Sequence, residues 1–231
     1  MSIIQATRVQ NSNVDDKATR RRSKGERTRE KILLAAINVL AVNGIKGTTH
    51  RAIANYANLQ LSLTTYYFKD IHQLVQQAFE LNADYLRART ATILDKAFTV
   101  LENTDQASLK EPAVKQMLCD NLANMTASYL FENIKREAIP LAVEQLMFTT
   151  TPVSTELKKL ITKHKESQLT PLTKLARYFN EQDPEIDAKM MHSIFTQLEY
   201  SQLTLEPSEL SIEPVLEVTK KLLGWIMGLK H

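Results

Sequence analysis

The stretch LQLSLTTYYFK, residues 59–69, concentrates hydrogen-bonding side chains on one short segment. It carries one serine, two threonines, two tyrosines and a lysine between apolar residues, and it has no Gly or Pro to make it a turn. Hydroxyl groups and a cation arranged in this way can bond to phosphate oxygens and to the edges of bases. These residue types therefore indicate contact with a nucleic acid, provided that neighbouring elements hold the segment in place.

Two predicted helices lie before this stretch. An apolar stripe at helical spacing runs from Thr28 and stops at Asn43-Gly44, a pair that suits a left-handed helix end. A second helix of about eight residues follows Thr48-Thr49, whose hydroxyls can cap free N–H groups. Asn58 tolerates a left-handed turn, after which the stretch opens a third helix. Two short helices joined by a tight turn are typical of a helix-turn-helix.

A helix-turn-helix would give each polar side chain of the stretch a role. The second helix of such a motif lies in the major groove, with base edges near its N-terminal residues and phosphates around it. The candidate DNA contacts here are Ser62, Thr64, Thr65, Tyr66, Tyr67 and Lys69. Leu59, Leu63 and Phe68 would anchor the helix to its neighbours. A strand is the alternative, because Thr and Tyr have high strand propensity, but the flanks are helical and no partner strand is visible nearby.

Composition favours an all-α protein. The 231 residues are 43% hydrophobic and include only 5 Gly and 7 Pro, enough apolar material for a core and too few breakers for a strand-and-turn fold. The single cysteine, Cys119, excludes an internal disulfide framework, and it is either a small buried apolar residue or a reactive thiol. The sequence has neither a membrane-spanning apolar run nor a signal-peptide pattern, so we expect a cytoplasmic protein without a membrane partner.

Positive charge is concentrated at the N-terminal end of the chain. The formal net charge is +3, yet residues 1–75 hold 12 Lys and Arg against 5 Asp and Glu, which leaves +7 there and −4 on the remainder. This asymmetry indicates a basic module joined to a mildly acidic one, with a polyanion as the partner of the first. The run Arg20-Arg21-Arg22 has two interpretations, a DNA-contacting segment or a solvated tail.

A set of residues in the N-terminal region carries a family resemblance. These are Asn43-Gly44, Gly47-Thr48-Thr49, Ile53-Ala54, Ala57, and Thr64 to Asp70 followed by Leu74. Over about a fifth of the chain, they resemble the DNA-binding domain of the TetR family of bacterial transcriptional regulators. The most specific part is Tyr67-Phe68-Lys69, which lies just after the recognition helix and before a long connecting helix.

The sequence also departs from the family pattern. Asn58 stands where the family usually has Gly, Ser62 where it often has Gly or a small residue, and Thr64-Thr65 where a Leu-Tyr or Val-Tyr pair is common. A base preference therefore cannot be transferred. By position, the resemblance implies phosphate contacts for Thr49, Tyr67 and Lys69, a base-reading role for Arg51, and base or backbone contacts for Ser62 and Thr65. The run from Arg20 to Lys24 could reach a minor groove or phosphates.

The rest of the sequence is typical of further helices. A long helix is predicted over about residues 71–97, and in the resembling family this helix joins two domains. Residues 103–112 are polar and interrupt the pattern. Five more helices are predicted, over residues 112–134, 137–148, 153–180, 185–204 and 210–229. We therefore predict a flexible basic arm at 1–25, a helix-turn-helix domain at 26–72, and a helical ligand-binding and dimerisation domain at 73–231.

The resemblance implies that the C-terminal domain binds an inducer and pairs two subunits. A ligand pocket needs apolar walls with a few polar groups. The pocket candidates, each of which could equally be core, are Cys119, Leu122, Met125, Tyr129, Phe131, Leu146, Phe148 and His164. A single helix-turn-helix implies a homodimer, because a two-fold DNA site needs two modules about one helical turn apart. The interface candidates are Phe195, Leu198, Leu222, Trp225, Ile226 and Met227. Trp225 could instead belong to the core.

Together these patterns predict a sequence-specific regulator that binds a pseudo-palindromic double-stranded DNA operator. Repression released by a small-molecule inducer is the commoner outcome in the resembling family. An effector-independent dimeric architectural protein is the alternative that the sequence leaves open. Catalysis is disfavoured, because the five histidines show no metal-ligand spacing and no Gly-rich phosphate loop occurs. We expect no cofactor.

Overall fold

The computed structural model describes residues 3–105, 107–150 and 154–229 and, within them, all side chains except those of residues 3–23 and 110. Over these ranges the regular structure is helical, as predicted, and the chain forms two units, Met1–Ala78 and Phe79–His231. The helices are α1 Ile3–Gly47, α2 His50–Ala57, α3 Leu61–Tyr67, α4 Ile71–Glu102, α5 Pro112–Arg136, α6 Ala138–Thr149, α7 Thr155–Ala176, α8 Pro184–Gln202 and α9 Glu213–Ile226. A 3-10 turn lies at Ser108–Lys110.

Helix α1 is broken near its end by Gly44. This glycine has a φ of 64° and a ψ of −177°, which lie outside the helical region and favour a residue without Cβ. The predicted stop at Asn43-Gly44 is therefore confirmed. At the other end, the backbone is helical from Ile3, whereas the sequence predicted a flexible arm over 1–25. The segment before Gly25 has no Gly or Pro, and extending a formed helix is easier than starting one. The arginines at 20–22 have side chains outside the described part of the chain.

The N-terminal unit packs α1 and α3 against α2. Its core joins one face of α1 to the inner faces of the two shorter helices and the start of α4. The buried apolar residues are Ile32, Leu33, Ala35, Ala36, Ile37, Val39 and Leu40 from α1, Ile53, Ala54 and Ala57 from α2, then Phe68, Leu74, Val75 and Ala78. The apolar stripe predicted for α1 and the anchoring role predicted for Phe68 are both confirmed.

The C-terminal unit contains the rest of α4 and five further helices, as predicted. Helix α4 runs to Glu102, past the expected end, and α5 begins at Pro112 after the polar interruption. Helix α9 is shorter than expected at both ends, because Pro214 sets its first turn and Gly228, at a φ of 69°, follows its end. The domain boundary that the sequence predicted after residue 72 lies inside the first unit, a few residues before Phe79.

Helices α5 and α9 form one close pair in this unit, and α7 and α8 form another. The main core cluster lies between them and the end of α4. It includes Ala97, Leu101, Leu118, Cys119, Leu122, Met191 and Leu222. Cys119 is buried and free, and burial raises the pKa of its thiol, so the interpretation of this cysteine as a small core residue is confirmed. Over the described ranges, none of the helices combines the length and the apolar character that crossing a bilayer requires.

Candidate DNA-binding surface and ligand cavity

The turn between α2 and α3 is closed by Asn58. This residue has the left-handed conformation, with a φ of 50° and a ψ of 54°. Its backbone N–H donates to the Asn55 carbonyl at 3.1 Å, and the N–H of Leu59 donates to the Ala54 carbonyl at 2.9 Å. These bonds satisfy carbonyl groups at the end of α2 and turn the chain into α3. The predicted helix-turn-helix is therefore present, with the turn at the predicted residue.

Two adjacent threonines at the start of α2 have different roles. Thr49 is exposed and caps the helix, since its Oγ1 accepts from the backbone N–H of Ala52 at 3.1 Å. Thr48 is buried, and its hydroxyl donates to the Gly44 carbonyl at 2.7 Å, which fixes the loop before α2. Arg51, in the first turn of α2, is exposed. Thr49 and Arg51 are thus both accessible to a partner at this end of the helix.

Most of the polar residues predicted on α3 face solvent. Ser62, Thr65 and Lys69 are exposed, and Tyr66 is 76% exposed although it is a large aromatic residue. The Tyr66 ring meets the Tyr67 ring edge-on, with centroids 5.2 Å apart and planes at 89°. Tyr67 is half-buried, and its hydroxyl lies beside Gly25 of α1, where an added Cβ would be 3.4 Å from it. The two tyrosines therefore form a single aromatic pair at the end of α3.

Thr64 does not belong to this surface, which corrects the prediction that it contacts DNA. The side chain is fully buried, and its hydroxyl donates to the Leu61 carbonyl at 2.8 Å. Thr64 and Phe68 are four residues apart, so both lie on the inner face of the segment, and Phe68 is also buried. The neighbouring Thr65 keeps an exposed side chain, although its hydroxyl lies within 3.3 Å of the Leu61 carbonyl.

The N-terminal unit carries several exposed cations. Exposed lysines and arginines of α1, α2 and the residues after α3 include Lys24, Arg27, Lys31, Lys46, Arg51 and Lys69. Arg29 is held in place, because its guanidinium lies 5.2 Å from the centroid of the Phe68 ring and donates to the side chain of Gln77. In the described part of the chain, this unit therefore carries exposed cations that an anionic partner can reach.

The C-terminal unit contains a cavity of about 110 Å³. Helices α4, α5, α7 and α8 supply most of its wall, which is largely apolar and includes Leu86, Ile93, Leu94, Leu122, Leu172, Leu175 and Phe195. Of the residues predicted to line a pocket, Leu122 and Tyr129 do so. Cys119 lies instead in the main core cluster, and Met125 lines a separate surface groove.

Phe148 and His164 stand behind the cavity wall rather than in it. The Phe148 ring stacks on His164, with centroids 5.6 Å apart and planes at 18°. His164 is buried, and its Nε2 lies 2.6 Å from Oε1 of Glu144, a residue that does line the cavity. The sequence therefore identified two neighbours of the site as members of it. Helical spacing marks buried positions but does not say which of them face a void.

Most polar residues of the cavity wall were not predicted from the sequence. They are Thr90, Thr126, Asn133, Glu144, Gln168, His192, Thr196 and Glu199. Glu144 is the most fully bonded, because it also accepts from Nε2 of Gln168 at 2.8 Å and from the Tyr200 hydroxyl at 3.0 Å. A signal was present in the sequence, since Glu144 is a lone acid among the apolar residues AIPLAVEQLMF of α6. Such a residue on a buried helix needs partners, and it often marks a site.

A second buried acid, Glu199, has fewer partners. It is 7% exposed, and its Oε1 accepts from Nδ2 of Asn133 at 3.0 Å. Asn133 in turn accepts from Nη2 of Arg89 on α4 at 3.1 Å. Burial, reinforced by the negative charge of Glu144, raises the pKa of Glu199 to about 8 against the Asn133 hydrogen bond, which lowers it. Glu199 is therefore largely protonated at neutral pH.

Three residues predicted for a dimer interface lie inside the subunit. Leu222 and Ile226 are 1% and 6% exposed, and Met227 is buried with them, because α9 packs this face against α5. That part of the prediction is wrong. Phe195 lines the cavity, and Leu198 packs against the second core cluster. Trp225 is 54% exposed, with Nζ of Lys221 5.4 Å from its ring centroid, so it is not a core residue.

Solved structures share this arrangement of helices. A protein described as a TetR-family transcriptional regulator from Mesorhizobium loti is 14% identical, with 88% of this chain and 96% of that chain covered and a TM-score of 0.61. The fold is TetR-like. The resemblance that the sequence showed over residues 25–74 is thus confirmed as a likeness of fold over most of the chain. No protein-family model matches the sequence, and no curated protein is significantly similar to it.

Two more structures with the TetR-like fold carry different descriptions. A transcriptional regulator from Saccharomonospora viridis, solved in complex with choline, is 13% identical over 86% of this chain and 96% of that chain, with a TM-score of 0.61. The fatty acid degradation regulator FadR from Bacillus halodurans is 18% identical over 88% and 97%, with a TM-score of 0.58. These neighbours are transcriptional regulators with different named roles, so the fold alone does not specify a ligand.

Proposed function

We propose that this protein is a sequence-specific DNA-binding transcriptional regulator, acting as a repressor that a small-molecule inducer releases. The observation that carries the proposal is the helix-turn-helix, in which α3 presents Ser62, Thr65 and Tyr66 to solvent next to Lys69. A short helix of this kind, fixed on its inner face and polar on its outer face, suits the major groove. The TetR-like fold, shared over most of the chain, supports the same function.

In this proposal the exposed residues divide into two kinds of DNA contact. Lys69, Tyr66 and Tyr67 contact phosphates and set the position of α3 on the duplex. Ser62 and Thr65 face base edges, where a hydroxyl can donate or accept and the Thr65 methyl can meet a thymine methyl. At the start of α2, Arg51 reaches a base edge and Thr49 a phosphate. Cytoplasmic localisation follows from this role, because the operator lies there.

A homodimer is part of the proposal, because one short recognition helix reads too few base pairs to define an operator. Two copies related by a two-fold axis read a pseudo-palindromic site with half-sites about one helical turn apart. The large apolar residues that α8 and α9 leave exposed are Ile186, Met190, Val218 and Trp225. An exposed Trp beside other apolar residues is the composition of an interface core, and these residues replace Leu222 and Ile226 as our candidates.

Helix α4 supplies the link between ligand and DNA in this mechanism. It begins at Ile71, just after the helix-turn-helix, and its residues Leu86, Thr90, Ile93 and Leu94 line the cavity. A ligand that binds one position of α4 more tightly than another shifts the population of α4 positions. The same difference in affinity changes the spacing of the two recognition helices, and DNA is released. A ligand with equal affinity for both positions would leave DNA binding unchanged.

Selection from a random duplex library tests the proposal. The full-length protein should enrich an inverted repeat, and this result would establish a sequence-specific dimer. The Lys69→Ala variant should bind the selected duplex more weakly, with the slope of log K against log salt reduced by about 0.9, the value for one lost phosphate contact. Lys159→Ala, which removes an exposed lysine from α7, is the matched control and should retain the original slope.

The alternative function is an architectural protein whose C-terminal unit only dimerises. It predicts binding without an enriched motif, lost at moderate salt. An enriched inverted repeat contradicts that alternative. A small molecule that changes affinity for the repeat in a saturable way then separates a ligand-responsive regulator from an effector-independent one. Neither function makes the protein an enzyme.

A further inference from the structure

We propose that the cavity of the C-terminal unit binds a small apolar cation, a protonated amine or a quaternary ammonium ion, with the carboxylate of Glu199 as its counter-charge. The inference names the chemical class of the inducer, and for that regulatory meaning it rests on the proposed function. Binding itself is a property of the C-terminal unit and can be measured without DNA.

The ionisable groups of the wall determine the sign of the charge that a ligand should carry. Among the described residues, the ionisable side chains that line the cavity are those of Tyr129, Glu144, His192 and Glu199, and no Lys or Arg lies among them. Burial raises the pKa of the Tyr129 phenol and lowers the pKa of the His192 imidazole, so both are neutral near pH 7. The wall therefore offers acids and neutral groups, which oppose an anion and attract a cation.

Glu144 is already saturated by the protein. Its Oε1 faces His164 and Gln168, and its Oε2 accepts from Tyr200. Glu199 differs, because Asn133 is its one hydrogen-bond donor and no Lys, Arg or His of the described chain forms an ion pair with it. A carboxyl group that lines a cavity, is almost fully buried and lacks a cation has acceptor capacity left for a ligand.

The surroundings of Glu199 favour its ionisation when a cation arrives. Without one, burial raises the pKa of the group to about 8 and the carboxyl holds its proton. A cation within a few ångströms would restore the ionised form and send the proton to solvent. Asn133 would stabilise the resulting carboxylate, because its amide donates to Oε1 while its own oxygen accepts from Arg89. Binding of the cation is thus coupled to release of the proton from the Glu199 carboxyl.

The remaining wall limits the size and polarity of the cation. Tyr129 and Phe195 place aromatic side chains in the wall, residue types that can make cation–π contacts, and leucines supply most of the rest. A hydrated metal ion would leave such apolar surface unmatched, whereas an alkylammonium ion satisfies both the carboxylate and the leucines. A volume of about 110 Å³ is below that of an engineered cavity of about 150 Å³ that holds benzene, so the ligand has only a few non-hydrogen atoms.

Calorimetric titration of the full-length protein with three ligands of matched size tests the inference. Butylammonium, butan-1-ol and butyrate are positively charged, neutral and negatively charged at pH 7. We expect butylammonium to bind at least about tenfold more tightly than the alcohol, the ratio that a modest ionic contact supplies, and butyrate to bind most weakly. Titration with the permanent cation tetramethylammonium in buffers of different ionisation enthalpy should show proton release. Equal affinity for the alcohol and butylammonium, or preference for butyrate, would overturn the inference.

Two variants on α8 assign the effect to one carboxyl group. Glu199→Gln retains an oxygen that can accept from Asn133 but cannot ionise, and it should lose the preference for butylammonium while affinity for butan-1-ol is kept. Glu185→Gln removes an exposed carboxylate from the same helix and should behave as the parent protein. If Glu199→Gln does not fold, the ranking of the three ligands on the parent protein still decides the question.

Operator binding, measured separately by fluorescence anisotropy, tells the two proposals apart. A cation that binds the cavity but leaves DNA affinity unchanged supports this inference and contradicts the inducer mechanism. DNA release by an uncharged compound, with no cation bound, overturns this inference and leaves the regulator intact.

Discussion

Asn133 on α5 donates its side-chain amide to the buried carboxyl of Glu199 on α8, with 3.0 Å between Nδ2 and Oε1. The oxygen of the same amide accepts from Arg89 on α4, so one side chain joins three helices. Arg89 also pairs with Glu137, at 3.2 Å from Nη1 to Oε1, and Glu137 accepts from the Tyr85 hydroxyl at 2.8 Å. The polar network therefore connects the cavity wall to α4, the helix that begins at Ile71.

Replacing Asn133 by Leu should destabilise the protein. The change leaves the Glu199 carboxyl without its donor and removes the acceptor of Nη2 of Arg89, and an unpaired buried polar group costs about 1–3 kcal/mol. Urea denaturation measures the free energy of unfolding. Asn124→Leu, at an exposed position on the same helix, should change it by less than about 0.5 kcal/mol. Equal effects of the two substitutions would show that the network contributes nothing.

Glu199 should make the protein less stable as pH rises. Its pKa is about 8 in the folded protein and near 4.5 in the unfolded chain, so between these values the unfolded chain has released a proton that the folded protein retains. The contribution of Glu199 to the free energy of unfolding is fully present below pH 4.5. Above that it falls by about 1.4 kcal/mol per pH unit until the pH reaches 8. Unfolding of Glu199→Gln and the parent at pH 5, 6, 7 and 8 should show the variant gaining relative stability. A constant difference would contradict the raised pKa.

Asn58 should tolerate Gly but not Ala. Its left-handed backbone, with a φ of 50°, suits Gly without strain, whereas a residue with Cβ and no local hydrogen bond pays about 1 kcal/mol in this region. Asn58→Ala should therefore lower the melting temperature, and Asn58→Gly should leave it equal or slightly higher. Asn55→Ala, at an exposed helical position in α2, serves as the control for loss of an Asn side chain.

Thr64 and Thr65 should respond differently to substitution, although they are adjacent. Thr64→Ser removes a buried methyl group and should destabilise the protein by about 1 kcal/mol without changing which operator is preferred. Thr65→Ala, on the exposed face, should leave stability within about 0.5 kcal/mol and weaken preference at particular base pairs. Thermal melts and competition binding with mutated operators separate the two effects. A change of base preference in Thr64→Ser would contradict the conclusion that Thr64 does not contact DNA.

The sequence by itself determined the local structure of the N-terminal unit. Gly44, Thr49 and Asn58 each have a conformational or capping preference that acts within a few residues, so the ends of α1 and α2 could be predicted without knowing their neighbours. The charge asymmetry and the all-helical composition are likewise properties of the chain before it folds. Because helix ends depend on such local preferences, the ends of α5 to α9 were also predicted to within a few residues.

Only the tertiary structure decided whether a given face of a helix packs in the core, lines the cavity or faces solvent. Helical spacing places Leu222 and Ile226 on one apolar face of α9, but a face of this kind serves equally for a subunit interface or for the core, and α5 covers it here. The cavity depends on residues from helices far apart in sequence, and Glu144, Asn133 and Glu199 approach one another only when those helices pack. Periodicity fixes the orientation of a side chain about its own helix axis, whereas its neighbours are fixed by the packing of the whole chain.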